Sequence, residues 1–150
     1  MPPMEIRPLA ADDVDAVVRL WNATKRDTYD FIPQERGRSV ADDDAFFREH
    51  ILPRCAIWIA VVRNEVVGFL AMRKSYVDRL YVHPGAQRRG VGTALLAKAI
   101  EISPGGIELH THQKNTKARA FYDKAGLSVV RFGISPPPES EPDMEYQWRP

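Results

Sequence analysis

The sequence predicts an α/β domain with a mixed sheet, its elements in the order β-α-α-β-β-β-α-β-α-β-β. Two patterns lead to this prediction. Apolar β-type runs alternate with segments whose apolar residues recur three and four positions apart, as on one face of a helix. Three β-rich runs also follow one another between residues 56 and 82, and the first two are spaced as a hairpin. A chain of 150 residues can form its own core, so we expect one domain over 1–150.

The part of the chain before residue 56 contains one predicted strand and two predicted helices. The strand covers 5–9, Asp12 and Asp13 cap the first helix, 28–37 is irregular, and the second helix covers 40–51. Pro8 favours a sheet edge or a strand end, because proline lacks the N–H that a central strand needs. The first helix is indicated by four apolar residues at helical spacing, Val14, Val17, Val18 and Trp21. The second helix carries acids at 42–44, where the helix dipole favours negative charge, and Pro53 follows as a stop signal.

The rest of the chain contains the remaining strands and helices. Strands are predicted at 56–62, 66–72, 76–82, 107–111, 128–132 and 143–148, and helices from 94 to about 102 and from 115 to 124. The polar turn at 63–65 joins the first two of these strands. Gly126 is placed to end the last helix. The proline-rich run 136–142 predicts a loop between the final two strands.

Composition and charge exclude several classes of protein. The formal net charge is +1, so no general field attracts nucleic acid or an anionic membrane. No apolar run is long enough for a transmembrane helix, and residues 1–5 lack the apolar segment of a signal peptide. The single cysteine, Cys55, excludes an internal disulfide and a cysteine-only metal site, and fits a small apolar residue near a strand start. We therefore expect a cytoplasmic protein with no metal, nucleic-acid or membrane partner.

The most informative stretch is the turn between the strand 76–82 and the following helix. It carries Arg88, Arg89, Gly90 and Gly92 at a predicted helix start. Backbone N–H groups there have no partner inside the helix, and the helix dipole adds partial positive charge. Glycine lets the backbone approach phosphate oxygens, and arginine supplies positive charge. The turn therefore indicates a phosphate or pyrophosphate site, although an ordinary strand-to-helix turn with solvated arginines fits the same residues. The glycine spacing matches neither a Walker A loop nor a dinucleotide fingerprint.

Three motifs give the chain a family resemblance. They are Leu80-Tyr81-Val82-His83-Pro84, Gln87-Arg88-Arg89-Gly90-Val91-Gly92 and Asn115-x-x-Ala118-x-x-Phe121-Tyr122-x-x-x-Gly126-Leu127. With the order of elements, they resemble the GNAT superfamily of N-acetyltransferases over nearly the whole chain. The resemblance implies a mixed, mostly antiparallel sheet of six to seven strands flanked by helices. It also implies acetyl-coenzyme A (acetyl-CoA) as the acyl-donor substrate, no metal, and direct acetyl transfer to a primary amine.

The same resemblance assigns the donor-binding residues. It implies that the CoA pyrophosphate lies on the turn formed by Gln87, Arg88, Arg89, Gly90, Val91, Gly92 and Thr93. The pantetheine arm is expected to enter an opening between the strands 76–82 and 107–111 and to pair with the main chain of Leu80 and Val82. A backbone N–H near Val82 would then stabilise the developing oxyanion. Asn115 is expected to contact the same arm, and its position alone predicts a helix cap.

Acid–base chemistry is assigned to two side chains. Tyr122 is expected to protonate the departing thiolate, because a phenol stays protonated at neutral pH; its helical spacing also fits a core residue. Asp78 is the acid on the strand before the turn, where the resemblance places the general base. Period-two alternation puts Asp78 on the face of the two pantetheine-binding residues, and it also fits a simple partner of Arg73 or Arg79. The other bases left open are His83, His110, His112 and water.

The acceptor pocket is expected between the first two helices, the stretch 28–37 and the proline loop 136–142. The aromatic and acidic residues in these segments would suit a small amine. Alternatively, the aromatic residues pack in the core and the acids face solvent. The residues are Trp21, Tyr29, Asp30, Phe31, Glu35, Glu139 and Glu141. A small-molecule amine is favoured over a protein or peptide, because no extended charged run is present to grip a polypeptide.

Other classes of function stay open beside the enzyme. One is a non-catalytic acyl-CoA-binding sensor. Another is a protein that binds RNA phosphates through Arg88 and Arg89, which the near-neutral net charge disfavours. A homodimer is a further expectation, since members of the resembling family often pair through terminal strands.

Overall fold

The computed structural model describes residues 3–150 and contains seven strands and four α-helices. The strands are β1 (Met4–Pro8), β2 (Ala56–Val62), β3 (Glu65–Arg73), β4 (Tyr76–Val82), β5 (Ile107–His112), β6 (Ser128–Ile134) and β7 (Pro142–Trp148). The helices are α1 (Val14–Thr28), α2 (Val40–Phe46), α3 (Val91–Ile102) and α4 (Thr116–Lys124). Met1 and Pro2 lie outside the described residues, and so does the part of the signal-peptide expectation that concerns them. None of the helices within 3–150 is long and apolar enough to cross a membrane.

The strands form one sheet in the order β1-β2-β3-β4-β5-β7-β6. All neighbouring strands are antiparallel except β4 and β5, which run parallel. The predicted mixed, mostly antiparallel sheet is therefore confirmed, with seven strands. β1 lies at one edge of the sheet, as Pro8 predicted, and β6 lies at the other.

Helices cover both faces of the sheet. Consecutive residues of β3 show the two sides: Phe69 packs with α1 and the segment Phe47–Ile51 that follows α2, whereas Leu70 packs with α3 and α4, and both are fully buried. Burying a side chain of this size contributes about 1.5–3 kcal/mol. The alternation along the central strands thus creates two cores, one on each face of the sheet.

A few local features differ from the sequence prediction. The turn between β2 and β3 consists of residues 63 and 64, both with positive φ (52° and 65°), as in a type I′ hairpin, and Glu65 already belongs to β3. The predicted helix 40–51 is present, but its last turn, Phe47–Ile51, widens into a π-helix. Asp13 does not cap α1 through its side chain; its carboxylate accepts from the Ala10 N–H and pairs with Arg7.

Candidate functional site

β4 and β5 meet at one end and separate toward the other. Their only register pair is Tyr76 with Glu108. The Ser75 hydroxyl donates to the Glu108 carboxylate at 2.6 Å, and the Glu108 N–H donates to the Ser75 carbonyl at 3.2 Å. Beyond this point, among the described residues, β4 keeps a strand partner only on its β3 side. Leu80 and Val82 therefore lie on the border of an opening in the sheet, where the main chain can pair with an extended ligand.

The glycine turn follows β4 directly and leads into α3. Gly90 has φ +82°, in the left-handed region, and immediately precedes the helix. The first helical bond runs from the Ala94 N–H to the Gly90 carbonyl, so the N–H groups of Val91, Gly92 and Thr93 have no acceptor within α3. Such a row of free N–H groups at a helix start binds anions.

The remaining turn residues have distinct positions. Arg88 also has positive φ (66°), and the side chains of Arg88 and Arg89 are exposed with no ion pair among residues 3–150. The Gln87 side-chain amide donates to the Val82 carbonyl at 3.2 Å and ties the turn to β4. Gly92 has a packing role, because a Cβ there would lie 3.2 Å from the Phe121 ring.

Helix α4 brings Asn115 and Tyr122 to the other side of the opening. The Asn115 side chain accepts from the Ala118 N–H at 3.1 Å, so the predicted helix cap is present. Tyr122 is buried, with its ring 5.1 Å from Phe121 and 5.5 Å from Tyr146. Burial raises the pKa of Tyr122 well above its ordinary value, and the neighbouring phenols, Tyr81 first among them, add to the rise. The phenol therefore remains a proton donor at physiological pH.

Tyr29 reaches the opening from the side of α1. Burial raises the pKa of Tyr29 well above its ordinary value; Tyr81 and Tyr122 add to the rise, whereas a hydrogen bond with Asn115 opposes it. The rings of Tyr29 and Tyr81 pack edge to face with centroids 6.4 Å apart. Side chains from α1, β4 and α4 thus meet at the gap. The sequence did not single out Tyr81, because alternation along an apolar strand carries no chemical signal.

Asp78 lies on the opposite face from the one predicted. β4 contains a bulge in which Arg79 pairs with Ala71 and Val77 with Met72, which leaves Asp78 as the extra residue. Asp78 and Arg79 both line a cavity on the side of α1, whereas Leu80 and Val82 pack toward α3. The period-two argument was wrong here, because a bulge shifts the alternation by one residue. Asp78 is paired with Arg73 at 3.0 Å and with Arg79 at 2.6 Å.

A cavity of about 700 Å³ adjoins the opening on the side of α1. Its aromatic lining consists of Trp21, Tyr29, Tyr76 and Tyr81. Five carboxylates line it, from Glu35, Asp78, Glu139, Asp143 and Glu145, together with three cationic side chains, from Lys25, Arg79 and Arg131. Four of the residues expected from the sequence line this cavity (Trp21, Tyr29, Glu35 and Glu139), while Asp30, Phe31 and Glu141 do not. The contributions of β4, β5 and β7 were missed, because they depend on pairing between distant strands.

A buried charge network supports the wall of the cavity. Lys25 donates to Glu35 at 2.9 Å and to Asp43 at 2.8 Å, and it lies 3.8 Å over the Trp21 ring. Asp43 is fully buried and also accepts from Arg38 at 2.8 Å. The sequence predicted this acid in the first turn of the second helix, and the structure shows it there as a buried anion that fastens α2 to α1. The network holds Glu35 at the cavity wall.

Two histidines on β5 face the cavity. His110 Nδ1 lies 3.0 Å from the Tyr76 hydroxyl, and its Nε2 lies 3.7 Å from Glu145. His112 Nε2 lies 3.2 Å from the Glu139 carboxylate on the loop between β6 and β7. His83 instead lies in the glycine turn, where its Nδ1 accepts from the Gly85 N–H at 3.0 Å.

Neither a metal cluster nor a reactive cysteine is found in the part of the chain that the structure describes. No group of three or more His, Cys, Asp or Glu side chains within 3–150 is arranged to hold a metal ion. Cys55 is half-buried with its Sγ 3.8 Å from Asp78, and burial raises its pKa to about 11. The thiol is therefore protonated at neutral pH, which disfavours a nucleophilic role.

Comparison with known proteins agrees with this geometry. A family model described as the acetyltransferase (GNAT) family matches residues 15–127. The peptidyl-lysine N-acetyltransferase YjaB of Salmonella typhimurium is 26% identical over 128 residues, which cover 85% of each chain. A GCN5-related N-acetyltransferase structure from Rhodopseudomonas palustris has a TM-score of 0.83 at 23% identity, covering 99% of this chain and 97% of that one. A PaiA N-acetyltransferase from Thermoplasma acidophilum in complex with coenzyme A has a TM-score of 0.70 at 21% identity, covering 97% and 99%. The family match spans most of the chain and includes the turn, the opening and α4, and the protein therefore belongs to the acetyltransferase (GNAT) family.

Proposed function

We propose that this protein transfers the acetyl group of acetyl-CoA to the side-chain amine of a peptidyl lysine. The observation that carries the proposal is the opening between β4 and β5. The glycine turn lies at one end of the opening, and the acid-lined cavity adjoins it on the side of α1. A donor held by the turn and an acceptor held in the cavity would therefore meet between the two strands.

The residues of the turn and of β4 fit CoA as a ligand. The free N–H groups at the start of α3 and the side chains of Arg88 and Arg89 suit a pyrophosphate. The free edge of β4 at Leu80 and Val82 suits the amide groups of a pantetheine arm. The CoA complex of the PaiA relative supports the same ligand.

The buried phenol of Tyr122 suits the departure of the thiol. Acetyl-CoA supplies an activated acyl group, and transfer to an amine leaves a thiolate that must gain a proton. Tyr122 stays protonated because burial raises its pKa, and it lies on the helix capped by Asn115, which hydrogen-bonds Tyr29. We assign it the role of general acid.

The cavity favours a cationic acceptor. Carboxylates outnumber cationic side chains along its lining, and aromatic rings form part of its walls. An ammonium group on an aliphatic chain meets both conditions. The YjaB relative is a peptidyl-lysine N-acetyltransferase, which supports a lysine side chain as the acceptor.

A small linear amine is the second candidate. The Gln34 side chain donates to the Pro138 carbonyl at 2.8 Å and joins the two loops beside the cavity. A slender group passes such a contact more easily than a bulky one. A small linear amine is as slender as a lysine side chain, so the contact would admit either.

The two acceptors can be separated by a competition assay. The purified protein would be given acetyl-CoA with peptides that contain one internal lysine and a blocked N-terminus, or with a panel of diamines and polyamines. Thiol release and product mass would be measured. We expect a higher kcat/KM for the lysine peptides, and matched peptides with arginine in place of lysine should remain unmodified.

Other outcomes would redirect the proposal. Transfer to the small amines alone would favour the second candidate. CoA binding without turnover on any amine would overturn the enzymatic proposal and favour an acyl-CoA sensor.

A further inference from the structure

The candidate proton acceptors differ in whether an atom is free to take a proton. Asp78 accepts from Arg73 on one oxygen and from Arg79 on the other, at 3.0 and 2.6 Å. His110 has its Nδ1 3.0 Å from the Tyr76 hydroxyl and its Nε2 3.7 Å from the Glu145 carboxylate. The Nδ1 of His83 accepts a backbone N–H within the glycine turn, and His83 does not line the cavity. These three groups are committed to structural contacts.

His112 has one committed and one uncommitted ring nitrogen. Its Nε2 pairs with Glu139 at 3.2 Å, and its Nδ1 is buried without a hydrogen-bond partner among the described residues. A neighbouring carboxylate favours the tautomer with the proton on Nε2, as assigned here from the contact. That tautomer leaves a lone pair on Nδ1. A buried polar atom without a hydrogen-bond partner is rare in proteins, which indicates that a bound ligand supplies the missing hydrogen bond.

His112 lies at the end of β5 and lines the cavity that adjoins the opening. The ring of His112 packs against Tyr29, and the ring of Tyr29 packs against Tyr81 on β4, with centroids 5.2 and 6.4 Å apart. Leu80 borders the opening on β4, and His112 lines the cavity on β5. The donor and acceptor of the proposed reaction would meet between these two residues.

Packing holds the imidazole in one orientation. The ring of Tyr29 meets it edge to face at 5.2 Å, and the ring of Phe31 does so at 5.8 Å. Four titratable or charged groups surround the imidazole: Glu139 on the β6–β7 loop, Asp143 opposite His112 on β7, Tyr29 after α1, and Lys114. Lys114 lies 5.6 Å over the Phe31 ring and pairs with Glu141.

We propose that His112 accepts the proton of the acceptor ammonium and that Glu139 is the positioning residue that orients it, an inference that rests on the proposed function. The amine, or a water carried in with it, completes the hydrogen bonding of Nδ1. One ammonium proton passes to His112 and then to solvent, and the neutral nitrogen forms the new C–N bond as the C–S bond breaks. A second proton stays in the amide. The third proton also leaves the nitrogen, and it offsets the proton that Tyr122 donates to the thiolate.

The test is the pH dependence of kcat/KM for His112→Asn and Glu139→Gln. His112→Asn should lower kcat at pH 7 by about 100-fold or more, the usual contribution of a general base. The deficit should shrink above about pH 9, because a lysine amine with a pKa of about 10.4 then loses its proton unaided. Glu139→Gln should retain the acidic limb but lower kcat with little change in KM, because the ring loses the carboxylate that holds its proton on Nε2.

His110→Asn is the matched control, because it lies on the same strand and the same face. Its pH profile should keep the wild-type limb. CoA affinity, measured by calorimetry, should be unchanged in all three variants. This measurement checks that the variants are folded. A His112→Asn variant that retains both the acidic limb and kcat would overturn the inference while leaving the proposed function intact. A wild-type protein that acetylates no amine would instead remove the proposed function itself.

Discussion

Tyr122 combines two properties that sequence reasoning had to weigh against each other. Its ring packs in the core against Phe121 and Tyr146, yet its phenol belongs to a group of phenols beside the opening. Burial is what makes both possible: it secures the ring and raises the pKa of the hydroxyl. A buried side chain at helical spacing is therefore no argument against a catalytic role at this position.

Replacement of Tyr122 by phenylalanine removes the hydroxyl and keeps the ring. We expect kcat to fall by about 100-fold, within the usual range for a general acid, with little change in CoA affinity. The measurement is thiol release under saturating acetyl-CoA. Since the raised pKa keeps the wild-type phenol protonated, we expect no basic limb from this group up to about pH 10. Unchanged kcat in Tyr122→Phe would return the residue to a packing role.

Asp43 is the residue through which we expect the stability of the fold to depend most strongly on pH. Desolvation raises its pKa, but hydrogen bonds from Lys25, Arg38 and Asn22 outweigh this and leave the pKa below its ordinary value. A lowered folded-state pKa stabilises the protein above the unfolded value of about 3.9, and the stabilisation is lost as the pH falls through the folded-state pKa.

Asp43→Asn should lower the free energy of unfolding by about 3 kcal/mol at pH 7, because two buried or half-buried cations lose their anion. The difference from wild type should shrink below about pH 4, as measured by urea denaturation at several pH values. Asp44→Asn is the control, since its pair with Arg48 is solvent-exposed and should contribute at most about 1 kcal/mol. A pH-independent difference at position 43 would contradict this account.

At the scale of elements, the junction of β4, the glycine turn and α3 shows how local sequence specifies a binding structure. Gly90 adopts a left-handed conformation, and α3 begins at the next residue with its N–H groups free. A Cβ at Gly90 would meet nothing within 4 Å, so its requirement for glycine is conformational rather than steric. Gly92 is the reverse case, because a Cβ there would press against Phe121.

Gly90→Ala should therefore weaken CoA binding without disturbing the core. A left-handed alanine costs about 1–2 kcal/mol, which corresponds to a rise in Kd of about 5- to 30-fold if the binding-competent turn has to be restored. Calorimetric titration with CoA measures it. Gly105→Ala, in the loop between α3 and β5, likewise has open space around it and should leave Kd unchanged. Equal effects at both positions would argue against a specific role for the turn.

At the scale of the whole molecule, the sheet consists of two parts joined by few contacts. The first part is β1 to β4, the second is β5 to β7, and one register pair joins them. A ligand that fills the opening would supply the main-chain partners that β4 lacks on that side. Ligand binding and the rigidity of the sheet are thus expected to be coupled.

Hydrogen exchange can measure this coupling. At CoA concentrations of about 100 times Kd, amides on the free edge of β4 should exchange about 100-fold more slowly, since opening then requires ligand release. Amides of β2, paired on both sides by β1 and β3, should change little and act as the internal control. Uniform protection throughout the sheet would indicate global stabilisation rather than occupation of the opening.

Much of the fold was predictable because its signals are local. Apolar runs, the turn between β2 and β3, and the Asn115 cap depend on neighbours within a few residues, and each is present. The face of β4 on which Asp78 lies and the partners of Asp43 could not be predicted, for one reason. A bulge in β4 and a lysine 18 residues away on α1 decide where these carboxylates lie, and neither leaves a local pattern.

The sequence by itself determined the order of elements, the glycine turn after β4 and the family resemblance, because each rests on short-range chemistry. Only the tertiary structure decided which charges meet. It brings Glu139 from the last loop to His112 on β5, and it pairs Asp78 with two arginines. The physical reason is that a side chain's partners, and with them its chemistry, depend on contacts across the sheet, which sequence distance does not encode.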